Sequence, residues 1–479
     1  MIALSSRFSV RLTHSLFSLH FFLLLLASVS SVMAVDIADP LRTRANLPPP
    51  PLFVAAGTDV PAPCLQRSAG TVYGVHEVVD QALCRNPQTH DAWAALQWQA
   101  AQLGLAQADF LPSLDGRLTV SRQRSAGQSV NQRSAALSLS WLLFDFGARD
   151  AAAASARQLL RAASATYDAS VHTVFLYAVN NYFQTQASRA AVTATREAER
   201  TSRESLAAAE LRYQVGVATP ADRLQVQTAL SQATLTRQRA EGTMRNAYGR
   251  LAQVMGLDAD QPVLLDEVPT AIPATLPMDA FDRDVATLIA EARQQRPDLQ
   301  AAEANVQASE SAIAQARAAG WPKLKLGGGP SWQSVGGLST QGNSLGLTLD
   351  IPIFSGFNHS YNIRAAQARR DSQSARRDSL RQLVAVEVWE AYQNLQTAGQ
   401  TVRTSADLLR SAEQSERVAL GRYKAGVGNI LDVLNAQSAL ANARLQRIQA
   451  WLDWQVSRAT LAKALGTLDN RLFDDDQKA

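Results

Sequence analysis

The chain has little of what catalytic and metal sites are usually built from. Its 479 residues include 2 cysteines and 6 histidines. His76-Glu77 lacks a second histidine four residues on, so the helical zinc-hydrolase pattern is missing. No GxxxxGK[ST] stretch occurs, so energy for any transport must come from a partner. Neither an enzyme nor a bound cofactor or metal is expected. Charge of one sign is scarce too. The formal net charge is +4, two units of it on Arg7 and Arg11, and the arginines form no blocks, which leaves nucleic acid unsupported as a partner. Beyond the N-terminus no apolar run approaches the roughly 18 residues of a spanning helix.

The N-terminus itself is apolar. Arg7 and Arg11 precede a hydrophobic run from Leu16 to Val32, and Val32-Met33-Ala34 supplies small residues for cleavage. Residues 1–34 read as a secretory signal peptide. No cysteine lies near that point, which disfavours a lipid-anchored start. In an exported chain Cys64 and Cys84 are a candidate disulfide, with two unpaired thiols as the alternative.

What the chain does have is an internal repeat at a fixed offset of 210 residues. RYQVGVATPADRLQVQTAL around Arg212 returns as RYKAGVGNILDVLNAQSAL around Arg422. Pro87, Pro112, Phe144 and Gly256 return as Pro297, Pro322, Phe354 and Gly466. A period this long is a duplicated half, not a solenoid unit. The organisation expected is a signal at 1–34, a proline-rich segment at 35–70 and a first repeat at 71–266. A linker at 267–280, a second repeat at 281–466 and a tail at 467–479 follow.

Within each half the apolar period changes twice. Residues 71–86 read as a short amphipathic helix through Val72, Val75, Val78, Val79 and Leu83, and a second helix runs from Pro87 to about Asp109. The period then falls to 2. Leu114, Gly116, Leu118 and Val120 alternate with polar residues, a polar loop spans Ser125 to Arg133, and Leu137, Leu139, Trp141 and Leu143 resume. The second half repeats this with Leu324 and Leu326, a Gly/Ser-rich loop after Trp332, and Leu345, Leu347, Leu349, Ile351 and Ile353. Hairpins at 113–145 and 323–354 with one apolar and one polar face match membrane β-strands of about ten residues; a soluble amphipathic sheet is the alternative. Phe110, Phe144, Phe146, Trp321, Phe354 and Phe357 stand where strands meet helices, as an interfacial girdle does.

After each hairpin comes an uninterrupted helical stretch, Gly147 to Tyr213 and Phe357 to Tyr423, 67 residues apiece, or about 100 Å. Each reverses at a glycine-containing turn into a helix of about 36 residues, giving helix hairpins at 147–255 and 357–465. Four strands cannot close a barrel, since the smallest has about eight, and an open edge in lipid leaves backbone groups unsatisfied. Several copies must share one barrel, with the helices forming a tube. An exported coiled-coil scaffold without a pore would account for the helices but not for the phased hairpins.

In this order, twice, the motifs ALCRNP (Ala82 to Pro87), LLFDFGAR (Leu142 to Arg149), IPIFSGF (Ile351 to Phe357), RYQVG, RYKAGVGNILDVLNAQ and ALG (Ala464 to Gly466) resemble the TolC family of outer-membrane factors over about residues 70–470. The resemblance implies an α-dominated homotrimer in the outer membrane: a twelve-stranded β-barrel, four strands per chain, continued by a long α-helical periplasmic tunnel of two tandem repeats. It places residues 257–296 and the C-terminal tail in an equatorial belt. It implies partners as well, a periplasmic adaptor and an inner-membrane ABC transporter or proton-driven pump. The cargo implied is a protein toxin through type I secretion, as for the outer-membrane component of an RTX-toxin exporter; small-molecule efflux is the alternative.

The resemblance also directs attention to the helix reversals as a periplasmic gate. Tyr423 and Asp222 match a tyrosine and an aspartate that bond across the family's tip, and Arg212, Arg422, Asp432 and Asn435 are further polar candidates. Gly216, Val217, Gly426 and Val427 are candidates for adaptor docking. Gly428 and Asn435 depart from a basic latch residue and a constricting aspartate found in some members.

Overall fold

The computed structural model describes residues 39–44, 47, 71–125, 128–267 and 284–468. The signal peptide, Cys64, nearly all of the linker and all but two tail residues lie outside them. Cys84 is disulfide-bonded. The first repeat runs β1 (Val72–Tyr73), α1 (Val75–Arg85), α2 (Pro87–Ala108), β2 (Ser113–Ser125), β3 (Gln128–Phe144), α3 (Ala148–Gln214), α4 (Pro220–Val254) and β4 (Leu264–Leu265). The second runs α5 (Val285–Gln295), α6 (Pro297–Ala318), β5 (Lys323–Val335), β6 (Leu338–Asp350), α7 (Asn358–Lys424) and α8 (Ile430–Leu465).

Both long helices have 67 residues, the expected length, each starting one residue late. Beside them the shorter helices stack end to end. Asn86 caps α2 by accepting from Gln88 N at 2.9 Å, with Pro87 in the first turn. Its Nδ2 also donates to Val254 O at 3.0 Å, which fastens the end of α4 to the start of α2. At that joint Gly256 has φ +70°, and a Cβ there would lie 2.6 Å from Arg85 O, so a side chain is excluded by both strain and space. Gly466 makes the equivalent joint between α8 and α6, with φ +79°. Across the slab the order is α2 with α4, then α3, then α6 with α8, then α7.

A second layer covers the middle of this slab. β1 pairs with β4 in parallel, so Val72 belongs to a strand and not, as its spacing suggested, to α1. Val75, Val78, Val79 and Ala82 of α1 pack on Val174, Phe175, Val179, Leu251 and Trp451. Leu288 and Ala292 of α5 pack on Val384, Val388, Leu395 and Trp454. Asp266 fastens β4 to α3, accepting from Tyr182 Oη at 2.6 Å and Gln186 Nε2 at 2.7 Å. Burial pushes its carboxyl above the ordinary range.

The four long strands form one antiparallel sheet in the order β2-β3-β5-β6. They are longer than their apolar stretches. β2 and β3 pair as far as Ser125 and Gln128, so the expected polar loop over Ser125 to Arg133 is largely strand. Its residues are polar because the strand outruns the apolar band, and a strand end in water needs no apolar face. β5 and β6 are joined by Gly336 and Gly337, at φ 58° and 92°, the two positive values a tight hairpin turn needs. The Gly/Ser-rich loop is thus mostly strand too. β6 ends at Asp350, short of Ile351 and Ile353.

Register gathers the apolar residues on one face. Leu114, Leu139, Gly328 and Leu345 form one row, and Trp141, Leu326 and Leu347 the next. The opposite face carries Ser140, Gly327 and Gly346, then Lys325 opposite Thr348, with Lys325 Nζ 2.9 Å from Asp350. The apolar face is bare: Leu118 and Leu345 are each 78% exposed. At its foot Phe146 stacks on Trp321 at 5.4 Å and meets Phe144 edge-on at 4.7 Å. The rows predict opposite tolerance on the two faces. Leu347→Arg should lose assembly by about 2–4 kcal/mol at mid-bilayer depth, whereas Thr348→Glu, facing Lys325, should assemble normally. The heat-modifiable oligomer recovered from membranes measures both, and equal yields would invert the assignment.

Candidate functional site

The candidate site is the end of the molecule farthest from the sheet, where α3 turns into α4 and α7 into α8. The two turns are built alike. Gly216 N donates to Tyr213 O and Val217 N to Arg212 O, each at 3.0 Å. Gly426 N and Val427 N do the same with Tyr423 O and Arg422 O, at 3.1 and 3.0 Å. These bonds satisfy the last helix carbonyls and require the left-handed residue that Gly216 (φ 77°) and Gly426 (φ 78°) supply. Val217 and Val427 stand out at 72% and 70% exposure, apolar knobs on each turn.

The next helices start under side-chain control. Thr219 caps α4, its Oγ1 accepting from Asp222 N at 3.2 Å. Asp222 Oδ2 in turn accepts from Thr219 N at 2.9 Å and Thr219 Oγ1 at 2.8 Å. Asp222 is therefore engaged within its own capping box, and within one chain it does not bond Tyr423. Asn429 caps α8 by accepting from Leu431 N at 3.2 Å.

Tyr423 has a different partner. The Arg212 guanidinium lies 4.1 Å from the centre of the Tyr423 ring, and its Nη2 donates to Tyr423 O at 2.9 Å. One side chain thus joins the ends of α3 and α7. Beneath it Ala209, Val226, Ile430 and Val433 form a small buried cluster, with Leu206, Leu420 and Leu434 against it. Farther along, Ser205 Oγ receives a bond from Gln437 Nε2 at 3.0 Å. The structure therefore brings Arg212 and Tyr423 together. Arg422, Asp432 and Asn435 are exposed, without a side-chain bond among the described residues.

Sequence reading missed the cluster and Thr219. It also missed Arg223, whose guanidinium lies 5.1 Å from the Tyr213 ring. The repeat did carry one usable signal: Ser205 and Gln437 both have identical counterparts, Ser415 and Gln227.

The family model described as outer membrane efflux protein matches residues 78–257 and 288–467, two segments at the offset of the internal repeat. The chain is 31% identical to protein CyaE of Bordetella pertussis over 454 residues, 92% of this chain and 95% of that one. It is 27% identical to the probable efflux pump outer membrane protein TtgC of Pseudomonas putida over 82% of each. It shares its fold with the CmeC outer membrane channel of Campylobacter jejuni, with a TM-score of 0.71 at 20% identity over 84% of this chain and 88% of that one. The fold is that of trimeric channel-tunnels, and the family is one of transport channels, not enzymes. The chain belongs to the outer membrane efflux protein family: it is an outer-membrane channel whose helices reach into the periplasm.

Proposed function

We propose that this channel is the exit duct of a type I protein secretion system, engaged by a periplasmic adaptor and an inner-membrane ABC transporter, with its helical tip as the gate. The observation that carries the protein cargo is the likeness to CyaE, greater in identity and in coverage than the likeness to TtgC. It agrees with the sequence resemblance to an RTX-toxin exporter component. TtgC, named as an efflux pump protein, favours a second reading in which a proton-driven pump exports small molecules.

The tip reading rests on Arg212. A single guanidinium, half-buried, holds the two long helices together through one ring face and one carbonyl. The stack is worth about 0.5–2 kcal/mol depending on desolvation, and the charged hydrogen bond about 1.5–3 kcal/mol. Repeated in every subunit, this restraint biases the tip toward closure. Val217 and Val427 are the exposed apolar contacts that an adaptor would cover.

Two measurements test these readings. Deleting the gene should retain a secreted protein inside the cell while leaving susceptibility to small antibiotics unchanged. Increased drug susceptibility with normal secretion would select efflux instead. At the tip, Arg212→Gln should raise single-channel conductance in planar bilayers with trimers intact, while Tyr423→Phe, which keeps both ring and carbonyl, should conduct like the parent. Opening by Tyr423→Phe would restore the hydroxyl-to-Asp222 bond as the latch. Asp222→Ala is a poor probe alone, because it also removes half of a capping box worth about 0.5–2 kcal/mol.

A further inference from the structure

The outward face of the sheet changes character above its apolar rows. On β2 every second residue shares the face of Leu114, and after Val120 that series continues with Arg122 and Arg124. On β3 the same face carries Arg133, directly opposite Val120, and then Asn131 opposite Arg122. Trp332 lies on this face too, one row below Arg133 and opposite Ala135. It is the upper counterpart of Trp321 at the foot. From Leu324 to Trp332 the strand climbs about 27 Å, or about 20 Å of membrane depth at a tilt near 40°, close to the height of a membrane-spanning apolar band. The helices leave the opposite end of the sheet for the periplasm, so the hairpin ends point away from the cell. The three arginines therefore stand at the headgroup level of the outer leaflet.

Their charge is uncompensated. Diagonal neighbours on one face of an antiparallel pair lie about 7–8 Å apart, the relation of Arg122 to Arg133, and Arg124 follows two residues on. All three are exposed, and none has a hydrogen bond or ion pair among the described residues. The four strands contain two carboxylates, Asp115 and Asp350, and both lie on the inward face at the foot of the sheet. That inward face is mixed in charge, since Arg117, Lys323 and Lys325 share it. The outward face carries arginine alone. β6, which closes the ring against β2 of the next copy, adds Ser339, Gln341 and Asn343 to the outward face at this height, again without a carboxylate.

Like charges on neighbouring strands repel one another unless an anion sits among them. A guanidinium also has five N–H donors in a planar fork, and phosphate oxygens match that fork. From the row of Arg133 to Arg124 the array runs about 13 Å along the strand, more than a single phosphate covers. The matching headgroup carries at least two phosphates on a sugar scaffold. We propose that Arg122, Arg124 and Arg133 form a binding site for a phosphate-bearing glycolipid of the outer leaflet. Leu118 and Val120, 78% and 80% exposed just below the arginines, receive the start of its acyl chains, and Trp332 marks the boundary between headgroup and chain. This inference rests on the apolar face being the lipid face, and its test separates the two failures.

The test offers diphosphorylated lipid A to the purified full-length channel and reads the lipid retained per trimer by native mass spectrometry, which also shows that the trimer is intact. The parent should retain this probe in preference to its dephosphorylated form. Arg122→Gln combined with Arg124→Gln and Arg133→Gln should cut retention about tenfold or more, since a single charged hydrogen bond is worth about that factor. Arg117→Gln, on the inward face, should retain lipid like the parent, and inorganic phosphate at the same concentration as the probe should not displace it. Undiminished retention by an intact triple variant would overturn the proposal, as would equal retention of the dephosphorylated lipid. Displacement by inorganic phosphate would overturn it as well, leaving a site for simple anions. Loss with Arg117→Gln while the triple variant keeps its lipid would overturn the assignment of the two faces.

Discussion

The structure depends on a constraint at two strand edges. β2 and β6 each have a neighbour on one side only, and a strand edge in hydrocarbon leaves a row of N–H and C=O groups without partners. Each such group costs several kcal/mol, so a single chain cannot stay in the membrane as it stands. The remedy is another copy of the same sheet, β6 of one chain against β2 of the next. That is a head-to-tail contact, which must close into a ring or continue indefinitely. The trimeric fold closes it at twelve strands.

Everything below the sheet follows from that ring. The helical slab has unlike edges, α2 with α4 on one side and α7 on the other, so the rotation that pairs β6 with β2 also brings α7 to the partner subunit's α2 and α4. Exposed Leu383, Val386 and Trp389 on α7 and Trp98 and Leu105 on α2 lie on these elements, and contact between copies would remove them from water. The bore must stay open, so the second layer of β1, β4, α1 and α5 can lie only outside. Gly256 and Gly466 are where that layer's connections cross the helix joints, and a methyl group at Gly256 would strike backbone.

Much of this was legible in the sequence, for a physical reason. Long helices and paired strands are written in local periodicity, and the repeat writes them twice, so α3 and α7 were recovered to within a residue. Strand length was not legible. Gln128 to Arg133 look like a loop because composition reports the solvent around a segment, and an extramembrane strand shares its solvent with loops. The tip's pairing was hidden for another reason. Arg212 and Tyr423 are 211 residues apart, and nothing near either shows that Asp222 is already committed to Thr219. Family pattern directed attention to the helix reversals and to Tyr423, whereas the contact with Arg212 came from how two helix ends are juxtaposed.

The junction between sheet and tunnel shows how the two halves of the fold are reconciled. A tilted strand must become a helix running along the tunnel within a few residues, and both repeats manage this with consecutive left-handed residues, Phe146-Gly147 and Gly356-Phe357. Glycine adopts that conformation freely, but phenylalanine at φ 55° or 64° is strained by roughly 1–3 kcal/mol. Phe146 has two ring contacts, with Phe144 and Trp321, at about 0.5–1.5 kcal/mol each, which is of the size needed to offset it. Among the described residues Phe357 has one, with Phe354 at 5.6 Å, and is 67% exposed. The backbone there is also held by Asn358 N donating to Ser355 O at 3.2 Å and Tyr361 N donating to Phe357 O at 3.1 Å. The exposed Phe357 ring stands where strand meets helix, the level at which an interfacial layer of lipid favours aromatic side chains, so the residue that redirects the chain also suits the membrane boundary.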